Sequence, residues 1–191
     1  RFEARINGMD AADFPPIPQI GDGIVTKIEV KALKEAITQV VFAAATEESR
    51  PVLTGVHAEF DGDNLTLAAA DGFRLAVHKT KLLTPVTSKA GVIIPARTLN
   101  ELNRLLGDEE EAVDITVNQQ KSQALFRLKS LEMVSQLVQG AFPNYAQLIP
   151  QSFTTRAVVD IAQFSRAVKM SAIFARDGSG IVRLVITPGT E

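Results

Sequence analysis

Residues Val25–Ala45 read VTKIEVKALKEAITQVVFAAA, and the period of the apolar positions changes inside this stretch. From Val25 to Val30 the pattern alternates and β-branched residues dominate, which predicts a strand. From Lys31 to Ala45 apolar residues fall at 33, 36, 37, 40, 41 and 44, the spacing of one helix face, and the Ala-rich end favours helix. Lys31, Lys34 and Thr38 are left on the opposite face. A strand running straight into an amphipathic helix, followed by many short strands, decides for an α+β fold.

Working outward, Leu53–Phe60 is a predicted strand, Asp61–Gly62–Asp63–Asn64 a tight turn, and Leu65–Ala70 the returning strand. Next comes AADGFRLA, Ala69–Ala76. Its Asp-Gly pair marks a turn, yet Phe73 and Leu75 follow at once. From these residues alone two readings stand: a plain hairpin with a core Leu, or a turn that floors an exposed groove. Leu75–Lys79 and Gly91–Pro95 are further predicted strands. Pro95–Leu106 is a second helix, apolar at Leu99, Leu102, Leu105 and Leu106, with Gly107 expected to stop it in a left-handed C-cap. Three more strands fit 112–118, 122–129 and 131–138. Two helices and about eight strands suit an antiparallel sheet carrying both helices on one face.

The chain has 191 residues, of which 46% are hydrophobic, enough for one large domain or for one domain plus pieces of others. A net charge of −2 does not advertise nucleic acid, and the acidic run Asp108–Glu111 reads as a solvated loop or helix end. With no cysteine, disulfide scaffolds and thiolate metal sites are excluded. The longest apolar run, Val40–Ala45, is far short of the ~20 residues of a membrane span. The opening RFEARING has no signal-peptide core and reads as a chain starting inside a strand, so a fragment is expected.

The order Phe14–Pro15, Ile17–Pro18–Gln19, Thr26–Lys27, Leu33–Ala36–Ile37 recurs as Phe142–Pro143, Ile149–Pro150–Gln151, Thr155–Arg156, Phe164–Ala167–Val168. A period of about 130 residues means repeated domains, not solenoid units. The expected division is 1–24 as the tail of one domain, 25–153 as a complete domain, and 154–191 as the opening of a third.

Catalytic chemistry finds little support. His57 and His78 sit in predicted strands without metal-type spacing, and no Gly-rich loop opens a helix. Asp177–Gly180 reads as a turn, not a nucleophile elbow. No carboxylate pair stands apart, and no cofactor or metal is expected. Binding is the better class. Lys31 and Lys34, Arg97 and Arg104, and Arg166 and Lys169 form basic pairs on corresponding helices of the repeats. They are either ordinary solvated faces or, if the helices ring an axis, a positive lining that local charge makes effective despite the net −2.

ESRPVLTGVHAEF (48–60), LAAADGFRLAVHK (67–79), VIIPARTLNEL (92–102) and LVQGAFPNYAQLIP (137–150) resemble the bacterial sliding-clamp family, the beta subunit of DNA polymerase III. The likeness runs through essentially the whole chain, and DGxRLA followed by FPxYxxxIP is a specific combination. The resemblance implies the DNA-clamp fold, repeated α+β domains closing head to tail as a homodimer ring around duplex DNA. It also implies phosphate contact without base reading, no catalysis, and a cytoplasmic, nucleoid-associated place in bacteria. The implied partners are the polymerase III alpha subunit, the clamp loader and other proteins carrying a clamp-binding motif, with no membrane.

By the same resemblance Arg50, Leu53, Ala70, Gly72, Phe73, Arg74, Leu75, Pro143 and Leu148 belong to a pocket that receives a short peptide rich in Gln, Leu and Phe. Lys31, Lys34, Arg97, Arg104, Arg166 and Lys169 would face DNA. The chain departs from the family at Ala70, where many members have Thr, at Phe73, where His is common in some, and at Gln147, often basic. These departures bear on partner preference. Read from the residues alone, a peptide-binding scaffold without a DNA role and an enzyme domain with its catalytic residues elsewhere stay open.

Overall fold

Strand β1, Gly23–Glu29, turns directly into helix α1, Val30–Val40, at the point where the apolar period changes. The structure, a computed structural model, describes residues 3–13, 23–47, 49–107, 112–176 and 180–187. The chain divides into two units, Arg1–Asn144 and Tyr145–Glu191. Phe14–Pro15, Ile17–Pro18–Gln19, the acidic run 108–111 and most of the turn at 177–180 lie outside the described residues.

In the first unit β2 (Gly55–Asp61), β3 (Asn64–Ala70), β4 (Leu75–Lys81) and β5 (Ala90–Pro95) are followed by α2 (Ala96–Leu105). Strands β6 (Ala112–Asn118), β7 (Gln123–Arg127) and β8 (Glu132–Gln136) complete it. The strands form two antiparallel four-stranded sheets, ordered β1-β6-β7-β8 and β4-β3-β2-β5, where the sequence pattern suggests one.

Helix α1 packs on β4 and β3, α2 on β5 and β2, and the two helices touch. Both therefore cover one face of the second sheet. Val56, Ala58 and Phe60 of β2, Leu65, Leu67 and Ala69 of β3, and Val92 and Ile94 of β5 meet Leu33, Ile37, Val40, Leu99 and Leu102 in one core. Val113, Ile115 and Val117 of β6 join it from the first sheet. Each buried Leu or Ile contributes roughly 1.5–3 kcal/mol, and the alternation of the strands leaves His57, Ala68, Ala70 and Leu75 for the outer face.

The expected strands 122–129 and 131–138 shorten to Gln123–Arg127 and Glu132–Gln136, and three other boundaries move for a local reason. The first helix ends at Val40 and tightens into a 3-10 turn, Val41–Ala43, where two consecutive β-branched residues disfavour α geometry. Leu53 lies in a 3-10 turn, Pro51–Thr54, ahead of β2, since Pro51 sets the turn. Gly107 is not a left-handed cap. Leu106 itself swings to extended backbone, φ −65° and ψ 107°, because its side chain is drawn into the core. The N-terminal strand is absent among described residues 3–13, which are exposed and hold one short 3-10 turn.

The second unit holds a 3-10 turn, Tyr145–Leu148, and α3, Ile161–Ala175. Asp160 caps α3: Gln163 N–H donates to its Oδ1 at 2.8 Å.

Candidate functional site

Ala69–Ala76 is a hairpin, and its four-residue loop is built around one carboxylate. Ala70 pairs with Leu75, so Asp71–Arg74 form the loop. Phe73 and Arg74 N–H donate to Asp71 Oδ1 at 2.9 and 3.0 Å, and Arg74 Nε donates to Oδ2 at 2.9 Å. Asp71 N–H reaches the Arg74 carbonyl at 3.3 Å. The two backbone amides, then the Arg74 guanidinium, hold the Asp71 carboxyl below its ordinary range.

Gly72 adopts φ 94°, which L side chains rarely take, and a Cβ there would come within 3.3 Å of Arg50 Nη1. Arg50 thereby approaches the loop and donates to the Asp71 carbonyl at 3.4 Å. The Arg74 guanidinium carbon stands 5.8 Å from the centroid of the Phe42 ring. Between the segment after α1 and this loop opens a cleft of about 120 Å3 whose lining includes Ala45, Arg50, Asp71, Phe73 and Arg74. Phe73 is 98% exposed. An aromatic ring left in water this fully is available to a partner.

Leu53, 6% exposed, lies in the 3-10 turn that follows Arg50, and its carbonyl accepts from Ala45 N–H at 2.8 Å. Ala70 and Leu75 are half-buried as neighbours on the outer face of the second sheet. Pro143 is exposed in the first unit. Leu148, 68% exposed, lies in the 3-10 turn of the second unit. The structure thus gathers Arg50, Phe73 and Arg74 at one cleft, with Gly72 against the Arg50 guanidinium, and sets Ala70 and Leu75 side by side.

Asp71 and Phe42 are the contributors that reasoning from the sequence omits from the site. The signal for Asp71 is the Asx-turn tendency of Asp before Gly. The signal for Phe42 is a large aromatic in the Ala-rich apolar run that follows the helix.

On α1, Lys31 is exposed and Lys34 half-buried, across from Leu33, Ala36, Ile37 and Val40. On α2, Arg97 and Arg104 are exposed, two turns apart and opposite Leu99 and Leu102. Arg104 also pairs with Glu101 at 2.6 Å. Arg166 and Lys169 are exposed on α3 of the second unit. Among the described residues no group of three or more His, Cys, Asp or Glu is placed to hold a metal.

A family model described as the DNA polymerase III beta subunit, central domain, matches residues 27–144. The chain belongs to the DNA polymerase III beta-subunit family.

The beta sliding clamp of Bacillus subtilis is 37% identical over 189 residues, covering 98% of this chain and 50% of the relative. That of Staphylococcus aureus is 34% identical over 180 residues, covering 94% and 47%. This chain spans about half the length of the curated relatives it matches. Among solved structures, the DNA polymerase sliding clamp of Bacillus subtilis superposes with a TM-score of 0.83 at 37% identity, over 89% of this chain and 44% of that one. A Pseudomonas aeruginosa sliding clamp bound to griselimycin gives 0.80 at 29% identity, over 86% and 44%.

The α+β architecture of helices on antiparallel sheets is thus the fold of the beta-subunit family, and the loop around Asp71 lies inside its central domain. No helix among the described residues is long and apolar enough to cross a membrane.

Proposed function

We propose that this chain is part of a DNA sliding clamp, a non-catalytic processivity subunit. Residues 1–24 would end its first domain, 25–153 form the middle domain, and 154–191 open the third. In this reading the full-length protein closes as a homodimer ring around duplex DNA and needs no cofactor. The observation that carries the reading is the family match over residues 27–144.

Two physical features agree with it. The outward faces of α1 and α2 place Lys31, Lys34, Arg97 and Arg104 opposite the core, and α3 adds Arg166 and Lys169. Cations without base-reading geometry suit phosphate contact, which tethers a protein and still lets it slide. The cleft beside Arg50, Phe73 and Arg74, together with Ala70 and Leu75, suits a short peptide with apolar anchors; Leu53, Pro143 and Leu148 are assigned to the pocket by family resemblance. One or two such anchors at ~1.5–3 kcal/mol each suit exchangeable, micromolar-scale binding. The partners of this class would be the polymerase III alpha subunit, the clamp loader and other carriers of the motif.

Two experiments test the two halves. Reversing the charge of Lys31, Lys34, Arg97 and Arg104 in the full-length protein should abolish clamp-stimulated DNA synthesis. Unchanged stimulation would remove the DNA role and leave a peptide-binding scaffold. Leu75→Ala and Leu148→Ala should each weaken capture of a Gln/Leu/Phe-rich peptide by about tenfold, the loss of part of one apolar anchor's burial; equal affinity in a titration rejects the pocket assignment.

A further inference from the structure

On the outer face of the second sheet a short segment is pinned where no strand is required. Residues 137–142 follow β8, yet several groups along them find a fixed partner. Leu137 N–H donates to the Ser122 carbonyl at 2.8 Å, and Val138 N–H donates to the Ile93 carbonyl at 2.9 Å, forming an isolated antiparallel bridge on the edge strand β5. Gly140, φ 130°, lies against Val52, and a Cβ there would come within 2.7 Å of Val52 Cγ1. Phe142 then stacks on His57, ring centroids 5.3 Å apart and planes 12° from parallel.

His57 has room for its ring because its diagonal neighbour on β5, two residues before its partner Ile93, is Gly91, where a Cβ would meet His57 Nε2 at 2.8 Å.

The register says what the stack is near. His57 pairs with Ala68, and Ala68 pairs with Val77, so these three share one row of the outer face. Ala70 and Leu75 form the next row, about 7 Å along the strands. Val52, which receives Gly140, directly precedes Leu53 and follows Arg50 by two residues. The pinned segment therefore touches the Arg50–Leu53 stretch at Val52, stacks on the row next to that of Ala70 and Leu75, and leads into Pro143.

We propose that the His57–Phe142 stack is the positioning element of the peptide pocket. It fixes Phe142 over the row next to that of Ala70 and Leu75 and so sets where Pro143 is presented. This rests on the peptide-binding reading above. His57 and Phe142 act through the backbone they hold, and neither needs to touch the peptide.

The test uses the full-length protein and a Gln/Leu/Phe-rich peptide in a fluorescence titration. His57→Ala and Phe142→Ala should each weaken binding by about three- to tenfold, the fold-change equivalent of one aromatic pair. The double variant should be no weaker than the worse single one, because both remove the same stack. Phe142→Tyr, which keeps the ring, should restore affinity to within about twofold, a rescue that a general loss of folding would not show.

Amide exchange at Val138 reads the pinning without any peptide: it should be slow in the parent and in Phe142→Tyr, and fast in His57→Ala. Should Phe142→Ala fail to fold, His57→Ala carries the test, since it leaves the linker sequence intact. Parent binding with unchanged affinity in His57→Ala overturns this inference and leaves the pocket reading standing. A parent that takes no peptide overturns the pocket reading and this inference with it.

Discussion

Asp71 does more for the loop than any apolar residue around it. One carboxylate collects two backbone amides and the Arg74 guanidinium, so the loop closes on its own charge and leaves Phe73 in water. Asp71→Ala should release both amides, speeding their hydrogen exchange and weakening peptide capture, while Asp71→Asn, which keeps an acceptor at Oδ1, should fall between. The folded-state carboxyl titrates below its unfolded value. Its stabilising effect is therefore present above the unfolded carboxylate range, near pH 4, and lost as pH falls through the folded value. Exchange at Phe73 and Arg74 measured down a pH series checks this. The turn itself is legible in the letters Asp-Gly. The approach of Arg50 to the Asp71 carbonyl and of Phe42 to Arg74 is not, because both arrive from distant sequence.

At the scale of elements, α1 and α2 are each divided into a buried stripe and a charged face, and both properties come from the same spacing. Leu102 lies fully in the core on the stripe of α2. Leu102→Ala should cost about 2–5 kcal/mol in denaturant unfolding, and a loss under about 1 kcal/mol would mean that α2 is not packed as described. The charged faces belong to a different measurement. Neutralising Lys31, Lys34, Arg97 and Arg104 should leave that stability nearly unchanged and flatten the salt dependence of DNA retention, by about 0.9 in log–log slope for each phosphate no longer neutralised. Helix existence is readable from periodicity, and the ends are not. Gly107 looks like a stop signal, but the burial of Leu106 ends the helix one residue sooner without any left-handed backbone.

For the first unit as a whole, the notable arrangement is two sheets sharing one core, with an outer face on which chain segments are laid. His57 sits on that face, and burial pushes its ring below the ordinary value while Glu59 partly opposes. The unfolded state thus binds the proton more readily. Stability from neutral His57 is complete above the unfolded value of about 6.5 and declines as pH falls from there through the lower folded value. The thermal midpoint should therefore drop as pH falls below about 6.5 in the parent protein, and His57→Gln should flatten that slope. An unchanged slope would place the acid sensitivity elsewhere.

Local pattern alone settles the α+β class, the strand-to-helix switch at Glu29–Val30, the two hairpin turns and the chain-order of the strands. Those depend on period and on turn chemistry, which act between near neighbours. The split into two sheets, the cleft between the end of α1 and the Asp71 loop, and the stacking of Phe142 on His57 follow from residues 21 to 95 positions apart coming together. No periodicity encodes such long-range pairings. They form because closing the core brings β6 beside β1 and returns residues 137–142 to the edge of β5, where edge-strand backbone and an open Gly91 wait to be covered.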